Sequence, residues 1–120
     1  FCFGGHVAYL VATLPDIKAT ASFYGAGIAT LTPGGGLPTL SRTPEIQGTL
    51  YAFFGTQDPL IPNEQIDQIE AVLQKTQAAH RLFRYEAGHG FFCDRRADYR
   101  PEAAADAWEK VKQLFAESLG

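Results

Sequence analysis

The stretch that decides the fold is GTLYAFFGTQDPLIP, residues 48–62. From Leu50 to Phe54 it is an unbroken apolar run, mostly aromatic. A strand with one wet face alternates, whereas an unbroken run is expected where a parallel sheet is covered on both faces. Gly55 and the TQDP that follows end the run as a turn. Beyond Pro62 the period changes. Ile66, Ile69, Leu73 and Thr76, with Val72 beside them, line one face of a helix from about Asn63 to Ala78, and Asn63 can cap it. Strand, turn and helix in that order make one unit of a parallel sheet.

The same pattern repeats outward. IKATASFYG, residues 17–25, reads as a strand closing at Gly25. Ahead of it Val7, Leu10, Val11 and Leu14 recur at helical spacing, and Pro15-Asp16 ends that helix. HRLFRYE, residues 80–86, is a third strand, and Pro101 opens a last helix with Ala104, Trp108, Val111 and Phe115 as its buried stripe. Residues 28–44, which include PGGGLP, read as a mobile loop. The expected class is α/β: a parallel sheet of about three strands, three main flanking helices and right-handed crossovers. No strand precedes the first helix, and three strands leave one side of the sheet as a bare edge. The expectation is therefore a partial domain over residues 1–120, its edge covered by another element or paired in a homo-oligomer.

Composition narrows the classes of function. An apolar share of 46% with 19% charge describes a globular chain of one-domain size. A net charge of −3, with Arg95-Arg96 as the only adjacent basic pair, argues against nucleic acid and anionic membrane as partners. No run approaches the roughly 18 apolar residues of a membrane-spanning helix. Two cysteines are too few for a disulfide scaffold and read as thiols of a reducing compartment, which predicts the cytoplasm.

Function in open parallel sheets gathers in loops at the carboxyl ends of strands. Three reactive side chains hold such places: Cys2 before the first helix, Asp58 after YAFFG, and His89 after FRYEAG. Each has a plain structural explanation. A cysteine is often a small buried apolar residue, Asp58 in QDP suits a turn, and His89 is flanked by loop glycines. Together they stand in the order nucleophile, acid, histidine. The thiol needs a base to take its proton, and the carboxylate fixes the imidazole tautomer. Gly4 and Gly5 permit a sharp turn, and the Phe3 amide at the helix start can serve as an oxyanion donor.

FCFGG (residues 1–5), SFYGAGI (22–28), YAFFGTQDPLIP (51–62) and AGHGFFCDRRADYRPEAAADAW (87–108) resemble the C-terminal half of the dienelactone hydrolase (carboxymethylenebutenolidase) family. These are α/β-hydrolases that use cysteine in place of serine. The resemblance covers nearly the whole chain and implies an ester or lactone hydrolase without a cofactor, acting on a small molecule. It implies Cys2 as nucleophile, Asp58 as acid, His89 as base, and Tyr24 bordering the site. Phe91 and Phe92 are expected to wall the pocket or the core. The family's substrate-binding arginine falls four residues after the histidine, where Cys93 stands here; Arg95, close by, is taken as substrate-binding. The resemblance also implies that the chain begins inside the turn that carries the nucleophile.

Two other readings compete. One is a catalytically impaired or inactive fragment that keeps the triad but lacks the other half of the oxyanion hole. The other is a small redox module built on Cys2, which ranks lowest because no CxxC or nearby resolving cysteine supports it. His6 is expected on the helix surface, His80 exposed, and Trp108 in the core. No spacing of His, Cys, Asp and Glu suggests a metal site, and PGGGLP lacks the Lys-Ser/Thr ending of a phosphate loop.

Overall fold

The computed structural model describes residues 1–119. In chain order it contains α1 (Phe3–Val11), β1 (Ala19–Phe23), a 3-10 segment (Thr39–Glu45), β2 (Thr49–Gly55), α2 (Asn63–Lys75), β3 (His80–Tyr85) and α3 (Pro101–Leu119). The three strands form one sheet in the order β1-β2-β3, and both pairings are parallel. This is the α/β class expected, with central β2 as the most completely buried strand.

The strand period of two sends alternate residues to opposite layers. Ser22 points to one side, where its hydroxyl donates to the Gly5 carbonyl of α1 at 2.7 Å. Arg84, on the same side, pairs with Asp67 and Glu70 of α2 at 2.9 and 3.0 Å. On the other side the Tyr85 hydroxyl donates to Asp106 of α3 at 2.7 Å. Helices α1 and α2 therefore cover one face and α3 the other. Between the sheet and α3 lies a row of rings. Phe23, Phe53 and Phe83 are cross-strand partners in register and stack at 4.4 and 5.0 Å. Phe1 continues the row on Phe23 at 4.8 Å.

Helix faces depart from the sequence expectation in a consistent way. In α1 the buried residues are Gly5, His6 and Tyr9, followed by Ala12, while Val7, Val11 and Leu14 are exposed. In α3 they are Ala104, Ala107, Val111 and Leu114, leaving Trp108 50% and Phe115 39% exposed. Trp108 is thus outside the core, with Lys112 Nζ 5.9 Å above its ring. Both helices lay their small residues on the sheet. For α1 the cause is close approach: a Cβ on Gly5 would strike the Phe23 carbonyl, and one on Gly25 the His6 backbone. On α3 the face turned to the ring row carries Ala104, Ala107, Val111 and Leu114.

Three smaller corrections follow from local chemistry. Helix α2 starts at Asn63 with Pro62 in the capping position, so the Asn63 side chain makes no cap bond, and the helix ends at Lys75. His6 is fully buried, its Nδ1 2.8 Å from the Ala26 carbonyl and its Nε2 2.7 Å from Thr39 Oγ1. Part of the expected loop is regular: the 3-10 segment docks on α1, Thr39 meeting His6 and Thr43 meeting the Tyr9 hydroxyl at 2.7 Å. No described helix is long and apolar enough to cross a membrane.

Candidate active site

All three strands deliver a polar side chain just past their carboxyl ends: Tyr24 after β1, Asp58 after β2, His89 after β3. Asp58 and His89 are 5% and 7% exposed. His89 Nδ1 lies 2.6 Å from Asp58 Oδ2. A carboxylate oxygen at that distance places the ring proton on Nδ1. The other oxygen, Oδ1, accepts the Leu60 amide at 2.8 Å. One carboxylate oxygen of Asp58 thus braces the turn while the other meets the imidazole. The turn is tied to the histidine loop by the Gln57 amide, which donates to the Ala87 carbonyl at 3.0 Å.

His89 Nε2 has no hydrogen-bond partner among the described residues, and no enclosed side-chain nitrogen or oxygen there lacks one. Nε2 is therefore the open end of the pair. The Tyr24 ring stands edge-on to the imidazole, centroids 5.1 Å apart, and rests on Phe91 at 5.3 Å. Phe91 is fully buried and supports Tyr24 from within the core, whereas Phe92 reaches the site.

Cys2 precedes α1 with φ 54 and ψ −128, a conformation that costs a non-glycine residue about 1–3 kcal/mol. Tyr24 is the other non-glycine residue with positive φ, at 39. The two strained residues line one cavity of about 360 Å³, together with Phe1, Phe92, Cys93 and Arg96. Burial pushes the Tyr24 hydroxyl up to about 12, and thiolate charge at Cys2 or Cys93 acts in the same direction; the Phe92 backbone and Arg96 oppose it. The phenol is thus a neutral donor placed among two thiols and a guanidinium. The Phe3 amide opens α1 directly after Cys2, where helix N–H groups lack intrahelical acceptors.

The candidate residues fall into two groups. Asp58 and His89 are bonded to each other; Cys2 and Tyr24 share the cavity, and the Tyr24 ring links the groups. No hydrogen bond joins Cys2 to His89 among the described residues. Arg95 is exposed and does not line the cavity, where Arg96 stands instead. Arg96 lies over Gly90, whose φ of 79 and missing Cβ make room for it beside His89. Two cavity residues, Arg96 and Cys93, were not assigned to the site in the sequence reading, which ranked a pairing of Cys93 with Cys2 low; their neighbourhood is set by a run of turns between Phe92 and α3 that returns the chain to the strand ends. Among the described residues no three His, Cys, Asp or Glu side chains gather as a metal site would need.

An open parallel sheet with helices on both faces, a strained residue ahead of a helix, and an Asp-His pair at the strand ends define the α/β-hydrolase class. Residues 1–119 match the dienelactone hydrolase family, and the chain belongs to it. It is 60% identical over 120 residues to a provisionally named carboxymethylenebutenolidase of Synechocystis, covering 99% of this chain and 49% of that one. A provisionally named carboxymethylenebutenolidase of Saccharolobus solfataricus is 32% identical, covering 96% and 41%. The crystal structure of a provisionally named dienelactone hydrolase from Klebsiella pneumoniae superposes with a TM-score of 0.88 at 26% identity, over 97% of this chain and 49% of that one. The chain spans about half the length of the curated relatives it matches.

Proposed function

We propose that the protein to which this chain belongs hydrolyses carboxylic esters or lactones through Cys2, His89 and Asp58. The observation that carries the reading is the buried Asp58–His89 pair with its Nε2 open at the strand ends. In this scheme His89 Nε2 takes the Cys2 thiol proton, and sulfur adds to the substrate carbonyl. Asp58 holds the Nδ1 tautomer and stabilises the imidazolium that forms. The Phe3 amide donates to the developing oxyanion. Collapse of the adduct gives a thioester on Cys2 and an alcohol, which leaves with the proton returned by His89. Water, deprotonated by the same nitrogen, then clears the thioester. Tyr24, Phe92 and Arg96 border the acyl group in this scheme.

A second reading, that the 120-residue chain keeps this arrangement with little turnover, draws support from the openness of the α1 entrance. Phe1 and Phe3, on either side of the half-buried Cys2, are 59% and 61% exposed. Loss of a single oxyanion donor typically costs about 100- to 1000-fold. Hydrolysis of p-nitrophenyl acetate, followed beside Cys2→Ser and His89→Ala variants, separates the two. Turnover abolished by either substitution supports the triad. Turnover equal in all three overturns it, and a single thiol-dependent burst without turnover supports the impaired reading.

A further inference from the structure

Cys2 and Cys93 stand far apart in the sequence, yet both are free and both line the cavity that holds Tyr24 and Arg96. Cys2 is half-buried and tied to the start of α1, whereas Cys93 is exposed. Cys93 begins an irregular run held by turn bonds: its own amide to the Gly90 carbonyl at 3.0 Å, and the Arg96 amide to its carbonyl at 3.1 Å. A disulfide needs Cα atoms roughly 4.4–6.8 Å apart, and of the two partners Cys93 is the one whose backbone can adjust to that requirement. The Tyr24 hydroxyl lies within electrostatic reach of both sulfurs.

We propose that Cys2 and Cys93 form a reversible intramolecular disulfide when the chain meets a hydroperoxide, making the cavity an oxidative modification site as well as the home of the candidate nucleophile. In the first step the Cys2 thiolate attacks one peroxide oxygen. An S–O bond forms, the O–O bond breaks, and hydroxide leaves to become water with the proton the thiol had given up. In the second, the Cys93 thiolate attacks the Cys2 sulfenic sulfur. The S–S bond forms, the S–O bond breaks, and the departing hydroxide takes the Cys93 proton as water. Two thiols supply two electrons, and one peroxide is reduced to two waters. Arg96 places a positive charge on the same wall, where hydroxide departs. A dithiol such as dithiothreitol reverses the product by exchange.

Folding, not sequence proximity, brings the two cysteines to one cavity, and this shapes the test. The reduced chain is treated with a small excess of hydrogen peroxide, and the intact mass, free thiol content and thiol-linked peptides are read. The expected result is a monomer lighter by about 2 Da, without free thiols, carrying a Cys2–Cys93 peptide link that dithiothreitol removes. Cys93→Ser should instead gain oxygen at Cys2 and proceed to an irreversible acid. Because Cys93 is exposed, far-UV circular dichroism of that variant should match the parent, and Cys2→Ser gives an independent control that should form no link. Oxygen gain without mass loss in the unaltered chain, or links formed only between chains, overturns the proposal. These readouts do not depend on ester turnover, so the hydrolase reading can fail without it, and it can fail without the hydrolase reading.

Discussion

Asp58 shows how much a single side chain settles here. Its two oxygens separately hold the Leu60 amide and the His89 ring, so Asp58→Asn should leave the turn largely intact while offering the imidazole the wrong partner. Any Cys2-dependent turnover should fall by roughly 10,000-fold, as expected where an amide misplaces the ring proton. Steady-state kinetics beside a thermal melt checks this, since the melt should move far less than the rate. His6 carries a different consequence. Burial holds its pKa below the ordinary histidine value of 6.5, with the Ala26 carbonyl opposing. Because that carbonyl can only accept, the neutral ring carries its proton on Nδ1 and takes the Thr39 hydroxyl at Nε2. In the unfolded chain His6 protonates first as pH falls, so the unfolded state binds more protons below 6.5. Its stabilising contribution is complete above that pH and is lost as pH falls toward the folded value. Urea unfolding across this window should show a slope for the unaltered chain that His6→Gln reduces.

Among the elements, β2 was legible because a strand covered on both faces must be apolar throughout, and Leu50 to Phe54 is. The places of Asp58 and His89 just past β2 and β3 made their pairing legible too. The faces of α1 and α3 were legible only in part: Ala104 and Val111 are buried as expected, but a period of large apolar residues does not mark Gly5, Ala12 and Ala107, which are buried as well. The signal that could have revealed α1's orientation is Gly5 with Gly25, a matched pair that admits a helix close to a strand end. This gives a paired prediction. Gly5→Ala puts a methyl group into the Phe23 carbonyl and should cost about 1–3 kcal/mol or more. Gly4→Ala meets nothing within 4 Å and should be neutral or gain about 0.5–1 kcal/mol. Chemical denaturation of the two variants compares them directly. The neighbourhood of Cys2, Cys93 and Arg96 was illegible for another reason: it depends on how an irregular run folds back, and no period encodes that.

At the scale of the molecule, α1 is apolar on both sides, and the side bearing Phe3, Val7, Val11 and Leu14 faces solvent. A helix apolar all round is ordinarily covered all round. The isolated chain should therefore bind a hydrophobic dye such as anilinonaphthalene sulfonate and associate as its concentration rises. Val7→Glu with Val11→Glu should suppress both, with far-UV circular dichroism unchanged because both side chains are exposed. Sedimentation velocity at several concentrations reads the outcome, and association that persists in the double variant points to the open edge of β1 instead. The lone tryptophan, Trp108, offers a check on the other layer. Half exposed on α3, it should emit as a solvated indole and be readily quenched by iodide before any unfolding.

The row of stacked phenylalanines also bears on time. A strand that slipped by two residues would keep its faces but break the Phe23–Phe53–Phe83 stack, so this row disfavours a register error that alternation alone permits. Breaking the amide ladder of β2 then requires the rings on both neighbours to separate together. Deuterium should enter the β2 amides last, at a rate set by opening of the whole chain, while the turns between Phe92 and α3 exchange early. The segment that carries Cys93 would sample new positions many times within the lifetime of one sheet.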